Sequence, residues 1–407
     1  MRLLHLESLR FEDCFDGAIP PYAILSHRWG PQEISYKDMR KKRNLHGLGY
    51  DKILGFRAFT LKQRRKVFPS GRSDFFTPDL LSIEWGWIDT CCIDKTSSAE
   101  LSEAINSMCR WYEKSAVCCV YLSDVSASVV ETSEEFDEFS KSQWFTRGWT
   151  LQELLAPQDV LFCNASWKVL GHKCRIKGHW YLCPERSGDI LNAEIARWTN
   201  IEASLLTVSI NQIRRTTSIA CRMSWAAHRK TSRVEDMAYC LLGLFDIHMP
   251  PMYGEGQKAF QRLQEELIRR SNDHSIFAWA PQANVASDVP YASWIKYPFP
   301  VLATHPVQFA GSSDVKVAGH WRPHARFMIT NTGLELRAKA MKYYRPGLDR
   351  YLYLVRLNCE GPDMFATHLA LVETGPWLCR AHMTTPVDQL GECLDNSERL
   401  FYVEMKP

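Results

Sequence analysis

Four short apolar runs, separated by stretches of helical periodicity, constrain this chain more than any other feature. Tyr22–Leu25, Trp85–Ile88, Val117–Leu122 and Val160–Phe162 are near-continuous in apolar residues rather than alternating. Strands of that kind are buried on both faces, as in parallel sheets covered by helices. Between them, residues 99–114 place Leu101, Ala104, Ile105, Met108 and Tyr112 on one stripe, and Ser97 and Glu100 have capping-box spacing. The alternation predicts an α/β fold with an open, doubly wound parallel sheet, in which ligands bind beyond the carboxyl ends of the strands.

Three segments are predicted to meet at that edge. Ser26, His27, Arg28, Trp29 and Gly30 follow the first strand; Asp89, Thr90, Cys91 and Cys92 follow the second. The third, Trp144 to Leu155, carries Arg147, Trp149 and Glu153 on a short apolar helix that Pro157 stops. Trp149 and Glu153, four residues apart, share a helix face, so an indole lies beside a carboxylate. Such a pair suits a cationic, planar, sugar-bearing ligand; it suits equally a helix packed on a core with Glu153 paired to a surface arginine.

The rest of the chain divides by pattern. With 407 residues, two or three domains are expected: 1–170 with the parallel sheet, a helical extension over 171–285, and a mainly antiparallel β domain over 286–407. In the last, Phe327–Thr330, Leu334–Leu336, Tyr351–Val355, His368–Val372 and Leu400–Val403 read as strands, with Asn331-Thr332-Gly333 as a turn. A net charge of +3 does not imply nucleic acid. Ten Lys/Arg between Arg40 and Lys66 against the single acid Asp51 read as a solvated helix face, since no nucleic-acid motif accompanies them. No apolar run approaches the roughly 20 residues that span a bilayer, the start lacks a signal-peptide pattern, and 14 scattered cysteines suit buried thiols in a reducing compartment. A cytoplasmic protein is expected, with no membrane or nucleic-acid partner.

The blocks Tyr22–Gly30, Trp87–Lys95 with Glu100–Met108, and Trp144–Leu154 resemble, in order and spacing, the three signature blocks of the fungal HET (heterokaryon incompatibility) domain. Residues 222–233, 235–245, Met252–Gly256 and Phe277–Trp279 resemble the region that follows HET domains in filamentous fungi. HET domains are implicated in regulated death when incompatible cells fuse, and are remotely similar to TIR domains. The resemblance therefore implies a TIR/flavodoxin-like sheet and hydrolysis of NAD⁺, with Glu153 matching the catalytic glutamate of the Trp-x-x-x-Glu helix. NAD⁺ is then substrate, no cofactor or metal is required, and a homo-oligomer is expected. The alternative is a non-catalytic module that self-assembles and recruits death factors.

The chemistry is specific. Cleaving the nicotinamide–ribose bond passes through an oxocarbenium-like transition state that a carboxylate stabilises, and the cationic leaving group needs no general acid. Trp144 or Trp149 would stack on the base, Ser26, His27, Arg28 and Gly30 would meet the pyrophosphate, and Asp89 would bind ribose or order its loop. A thiol hydrolase built on Cys91 or Cys92 with His27 and Asp89 is a rival, weakened because such cysteines are usually buried. His172, Cys174, His179 and Cys183 lack a standard zinc spacing, and Gly254-Glu255-Gly256 reads as a helix start rather than a phosphate cradle.

Overall fold

The computed structural model describes all residues except 16, 67–82, 128–132, 175–190, 281–299, 319–325, 346–348, 363–366, 375–376, 382–392, 406 and 407. Two compact units emerge: Met1–Ile213 with Tyr239–Pro251, and Arg214–Ala238 with Met252–Pro407. The helical stretch expected as a domain of its own is instead shared between them. The reason is that 239–251 returns to pack on the first unit.

In the first unit, β1 (Arg2–His5), β2 (Phe11–Asp13), β3 (Tyr22–His27), β4 (Trp85–Ile88), β5 (Val117–Tyr121), β6 (Asp159–Cys163) and β7 (Val169–Cys174) form one sheet. Its order is β2-β1-β4-β3-β5-β6-β7. The four strands expected from the apolar runs are its centre: β4, β3, β5 and β6 pair in parallel. The flanking strands β1, β2 and β7 pair antiparallel and lie outside the sequence expectation, being short or interrupted by polar residues. The chain leaves β3 toward β4 and returns across it to β5, so the topological switch point lies between β3 and β5.

Helices α1 (Tyr36–Lys41) and α2 (Leu48–Lys66) link β3 to β4, and α3 (Asp89–Cys92) and α4 (Ser98–Lys114) link β4 to β5. Right-handed crossovers in opposite directions put these pairs on opposite faces. Neighbouring residues of β4 show it. Gly86 faces Phe56 of α2, where a Cβ would come within 2.8 Å of the ring. Trp87 packs edge-on against Trp111 and Tyr112 of α4. Every residue of β3 is buried as a result. At the start of α4 half of the expected capping box forms: Ser97 Oγ accepts from the Glu100 amide at 3.3 Å. The Glu100 carboxylate turns instead to Arg2 and the Asp94 amide.

Helix α5 (Ser133–Ser140), a 3-10 turn over Gln143–Thr146 and α6 (Thr150–Leu155) lead to β6. All six residues of α6 are buried. Thr150 Oγ1 donates to the carbonyls of Trp144 and Arg147 at 2.6 and 2.9 Å, tying turn to helix. At the other end the buried Lys173 ammonium of β7 donates to the carbonyls of Leu154 and Pro157 at 2.9 and 2.8 Å. A cation on carbonyls at a helix C-terminus complements the dipole and fixes how α6 projects. The unit continues through α7 (Asn192–Thr199) into the start of α8 (Ile210–Thr216) and, within the returning chain, includes α11 (Leu242–Phe245).

In the second unit, α9 (Ile219–Ser224) and α12 (Lys258–Arg270) precede strands β8 (Lys316–Val317) to β15 (Cys393–Val403), with α10 (Asp236–Tyr239) between the two helices. Helix α12 buries one apolar stripe of Ala259, Phe260, Leu263, Leu267 and Ile268. The expected antiparallel strands are present as β9 (Phe327–Thr330), β10 (Gly333–Arg345), β11 (Arg350–Arg356), β13 (His368–Thr374) and β15. A two-residue Asn331-Thr332 loop joins β9 to β10 at the expected turn. Two-residue β12 (Cys359–Glu360) pairs with β8. Because the 13-residue β10 pairs with both β15 and β11, while β14 (Trp377–Arg380) bridges β13 and β15, the sheet closes on itself. Leu352, Leu354, Ala370, Val372 and Tyr343 cluster within it.

Candidate functional site at the carboxyl edge of the sheet

The carboxyl ends of β3 and β4 and the helix α6 converge as the sequence predicts. Ser26, at the end of β3, is wholly buried and donates its hydroxyl to Glu153 Oε2. It accepts in turn from Trp144 Nε1 at 2.8 Å. Glu153 is 8% exposed. Burial is the main reason its pKa is raised to about 7; Asp89 adds to the rise, and Ser26, Arg147 and the Tyr112 hydroxyl oppose it. A carboxylate poised between charge states near neutral pH, beside a second carboxylate, is a mark of a functional site.

The neighbouring residue on β3 faces elsewhere. The buried His27 ring has Nε2 at 3.6 Å from Glu33 and 3.9 Å from Asp89, too long for hydrogen bonds but close enough for charge. Burial lowers its pKa despite the Glu33 carboxylate. Glu33 organises the loop beneath: it takes the Gly30 amide at 2.6 Å and the Lys52 ammonium of α2. Burial alone would raise Glu33, but His27, the Gly30 amide and Lys52 together bring it down to about 2. The Gly30 N–H, expected to meet a pyrophosphate, is therefore committed to an ionised carboxylate. Arg28 and Trp29 beyond it are exposed. Trp29 donates Nε1 to Asp89 Oδ2 at 2.8 Å, so Asp89 orders this loop.

Other candidates fall differently. Trp144 is 1% exposed, packed edge-on against Phe145 and Phe162. Its ring faces are covered by the core, and it reaches the site through its N–H alone. Trp149 is half-buried and holds the N-cap position of α6 in helical geometry, keeping the four-residue relation to Glu153. Arg147 is half-buried and electrostatically coupled to Glu153. Cys91 and Cys92 are buried, Cys92 accepting the Ile88 amide at 3.4 Å. The hydrogen bond with Cys92, and then burial, push the Cys91 thiol well up, the wrong direction for a nucleophile. Among the described residues no His/Cys/Asp/Glu group is arranged to hold a metal; His179 and Cys183 of the zinc-like set lie outside them. The Gly254 and Gly256 amides both donate to Glu235, so that loop carries its own anion.

Sequence reasoning missed Glu33, Lys52, Lys95 and Tyr112. Tyr112 lies on the apolar stripe of α4 and reads as core. Lys52 lies within the basic 40–66 run that reads as a solvated face, yet it is buried and paired with Glu33.

Residues 22–136 match the family model for the heterokaryon incompatibility protein (HET). The chain carries a HET domain. The match to the HET model takes in Ser26 to Gly30 and Asp89 and ends before α6, leaving Glu153 beyond it. Residues 258–331 match a domain of unknown function, DUF8212. The vegetative incompatibility protein HET-E-1 of Podospora anserina is 41% identical over 263 residues, 63% of this chain and 17% of that protein. This chain therefore spans about a sixth of that relative's length. No solved structure matches it significantly. Among the described residues no helix is long and apolar enough to cross a membrane.

Proposed function

We propose that this HET-domain chain is a cell-death effector of fungal heterokaryon incompatibility, and that its TIR-like first unit hydrolyses NAD⁺ at the nicotinamide–ribose bond. The observation that carries the reading is Glu153: a desolvated carboxylate at the switch-point edge, aimed by Ser26 and coupled to Asp89 and Arg147. The parallel order β4-β3-β5-β6 is that of flavodoxin-like sheets, which supports the TIR-like assignment. The similarity to a vegetative incompatibility protein supports the biological role.

In this reading the carboxylate form of Glu153 stabilises positive charge growing on the ribose as nicotinamide departs. Water then adds to the same carbon and releases a proton, giving ADP-ribose. Nicotinamide leaves neutral, taking the bonding pair, so no acid is needed. The protein works in the cytoplasm as a homo-oligomer, and depletion of NAD⁺ kills the cell.

Incubating the purified chain with NAD⁺ and quantifying nicotinamide tests the activity. Toxicity on expression tests the role: death that persists undiminished in Glu153→Gln favours the non-catalytic, self-assembling module.

Ser26→Ala separates positioning from mere structure. Removing the donor destabilises the ionised carboxylate, so the Glu153 pKa rises above about 7. The pH–rate profile is expected to move upward by about one unit, with turnover depressed near pH 7 and partly restored near pH 8.5. A uniform loss at every pH would show that Ser26 serves only packing.

A further inference from the structure

The Lys95 ammonium lies 3.4 Å from the centre of the Trp29 ring. Trp29 turns its N–H to Asp89 Oδ2 at 2.8 Å, and that same oxygen is 4.0 Å from Lys95 Nζ. An aromatic face closed by a carboxylate is an arrangement that recognises organic cations. Here the cation belongs to the chain itself. The occupancy is reversible by construction. Trp29 is 43% exposed and the Lys95 side chain 32% exposed, so both stand at the surface. The backbone that carries Lys95 is held independently, because Asp94 Oδ1 takes the amide and hydroxyl of Thr96 at 3.0 and 2.7 Å. The flexible four-carbon stem can therefore swing away without unfolding its turn.

We propose that Trp29 and Asp89 form a binding subsite for a planar aromatic cation, with Lys95 as its resident competitor. The inference deepens the NAD⁺ reading and takes its choice of ring from it, since the oxidised nicotinamide of NAD⁺ is such a cation. One positive charge leaves Asp89 as another arrives, so the carboxylate is never stranded. A neutral ring brings no such compensation. The reduced dinucleotide and the released nicotinamide are both neutral at the ring, so both are disfavoured against Lys95. The subsite thus selects the oxidised substrate and helps expel the product ring.

The test uses two rings of similar size, N1-methylnicotinamide as the cation and nicotinamide as the neutral control, titrated into the full chain by ligand-observed NMR. Lys95→Met is expected to tighten binding of the methylated ring by about tenfold and of nicotinamide by no more than about twofold. Lys95→Gln is expected to do the same and replaces the first variant if it folds poorly. Adding Trp29→Ala to either is expected to remove the gain. Equal tightening of both rings, no tightening, or a gain that survives Trp29→Ala overturns the proposal. NAD⁺ hydrolysis is measured on the same proteins. Selective tightening in an inactive protein keeps the subsite and removes the hydrolase; turnover without it does the reverse.

Discussion

Glu153→Gln in the full chain is expected to lower NAD⁺ hydrolysis by about 10²–10³-fold and yet to make the first unit harder to unfold at pH 8. The amide keeps an oxygen that accepts from the Ser26 hydroxyl, so the packing of α6 against β3 survives. What disappears is the charge. The folded pKa of about 7 stands above the ordinary glutamate value of 4.5. Below pH 4.5 the carboxyl is protonated in both states and carries no penalty. As pH rises through 4.5 toward 7, the unfolded chain ionises freely while the folded chain must hold a neutral acid. Above pH 7 the folded chain must hold a buried anion. The penalty grows through that window and levels off on the order of 3 kcal/mol. The glutamine variant escapes it, so its melting temperature is expected to equal that of wild type near pH 4 and exceed it at pH 8. Unchanged turnover would remove Glu153 from the chemistry. A stability difference independent of pH would show that the carboxylate is not desolvated in solution.

Physical periodicity explains which parts of this architecture were legible beforehand. β3, β4, β5 and β6 are buried on both faces, and that burial writes itself into unbroken apolar runs. The flanking strands β1 and β7 lack that signal: Arg2–His5 begins and ends polar, and Val169–Cys174 carries His172 and Lys173. Lys173 is buried because it serves the end of α6, a tertiary demand invisible in a window of neighbouring residues. At the site the same divide holds. Ser26, Asp89 and Glu153 sit at strand or helix ends, where topology tells them apart. Glu33 and Lys52 are ordinary charges until a loop folds back and brings them to His27. The tryptophans invert expectation for a related reason. An indole within an apolar block reads equally as platform or core, and only the cage of Phe145 and Phe162 makes Trp144 the latter. Trp29 escapes the core because the chain has already left the sheet.

Gly243→Ala is expected to cost the first unit roughly 3 kcal/mol or more, toward the upper end of overpacking effects, and to lower its melting temperature by about 10 °C. Residue 243 lies far beyond the matched HET region, but its segment returns to the HET-bearing unit. Asn106 of α4 clamps the segment by exchanging bonds with Met249, its amide donating at 3.2 Å and its carbonyl accepting at 3.1 Å. α11 packs on α4. A methyl at Gly243 would overlap the Cβ of Cys109, come within 2.7 Å of its Sγ and stand 3.1 Å from Gln152 Oε1. Cys109 Cβ is fixed to the backbone of α4, the helix that carries Tyr112, so it cannot retreat without moving the site floor, whereas the Gln152 side chain of α6 can give way. Cys109→Gly on the Gly243→Ala chain is expected to return most of the loss, less about 1 kcal/mol for a glycine inside a helix. Gly311→Ala, where a Cβ meets nothing within 4 Å, serves as the neutral control. A melting temperature unchanged by Gly243→Ala would mean that 239–251 does not press on α4. If it does press, a fragment ending at residue 170 lacks part of its own core and is expected to fail to fold.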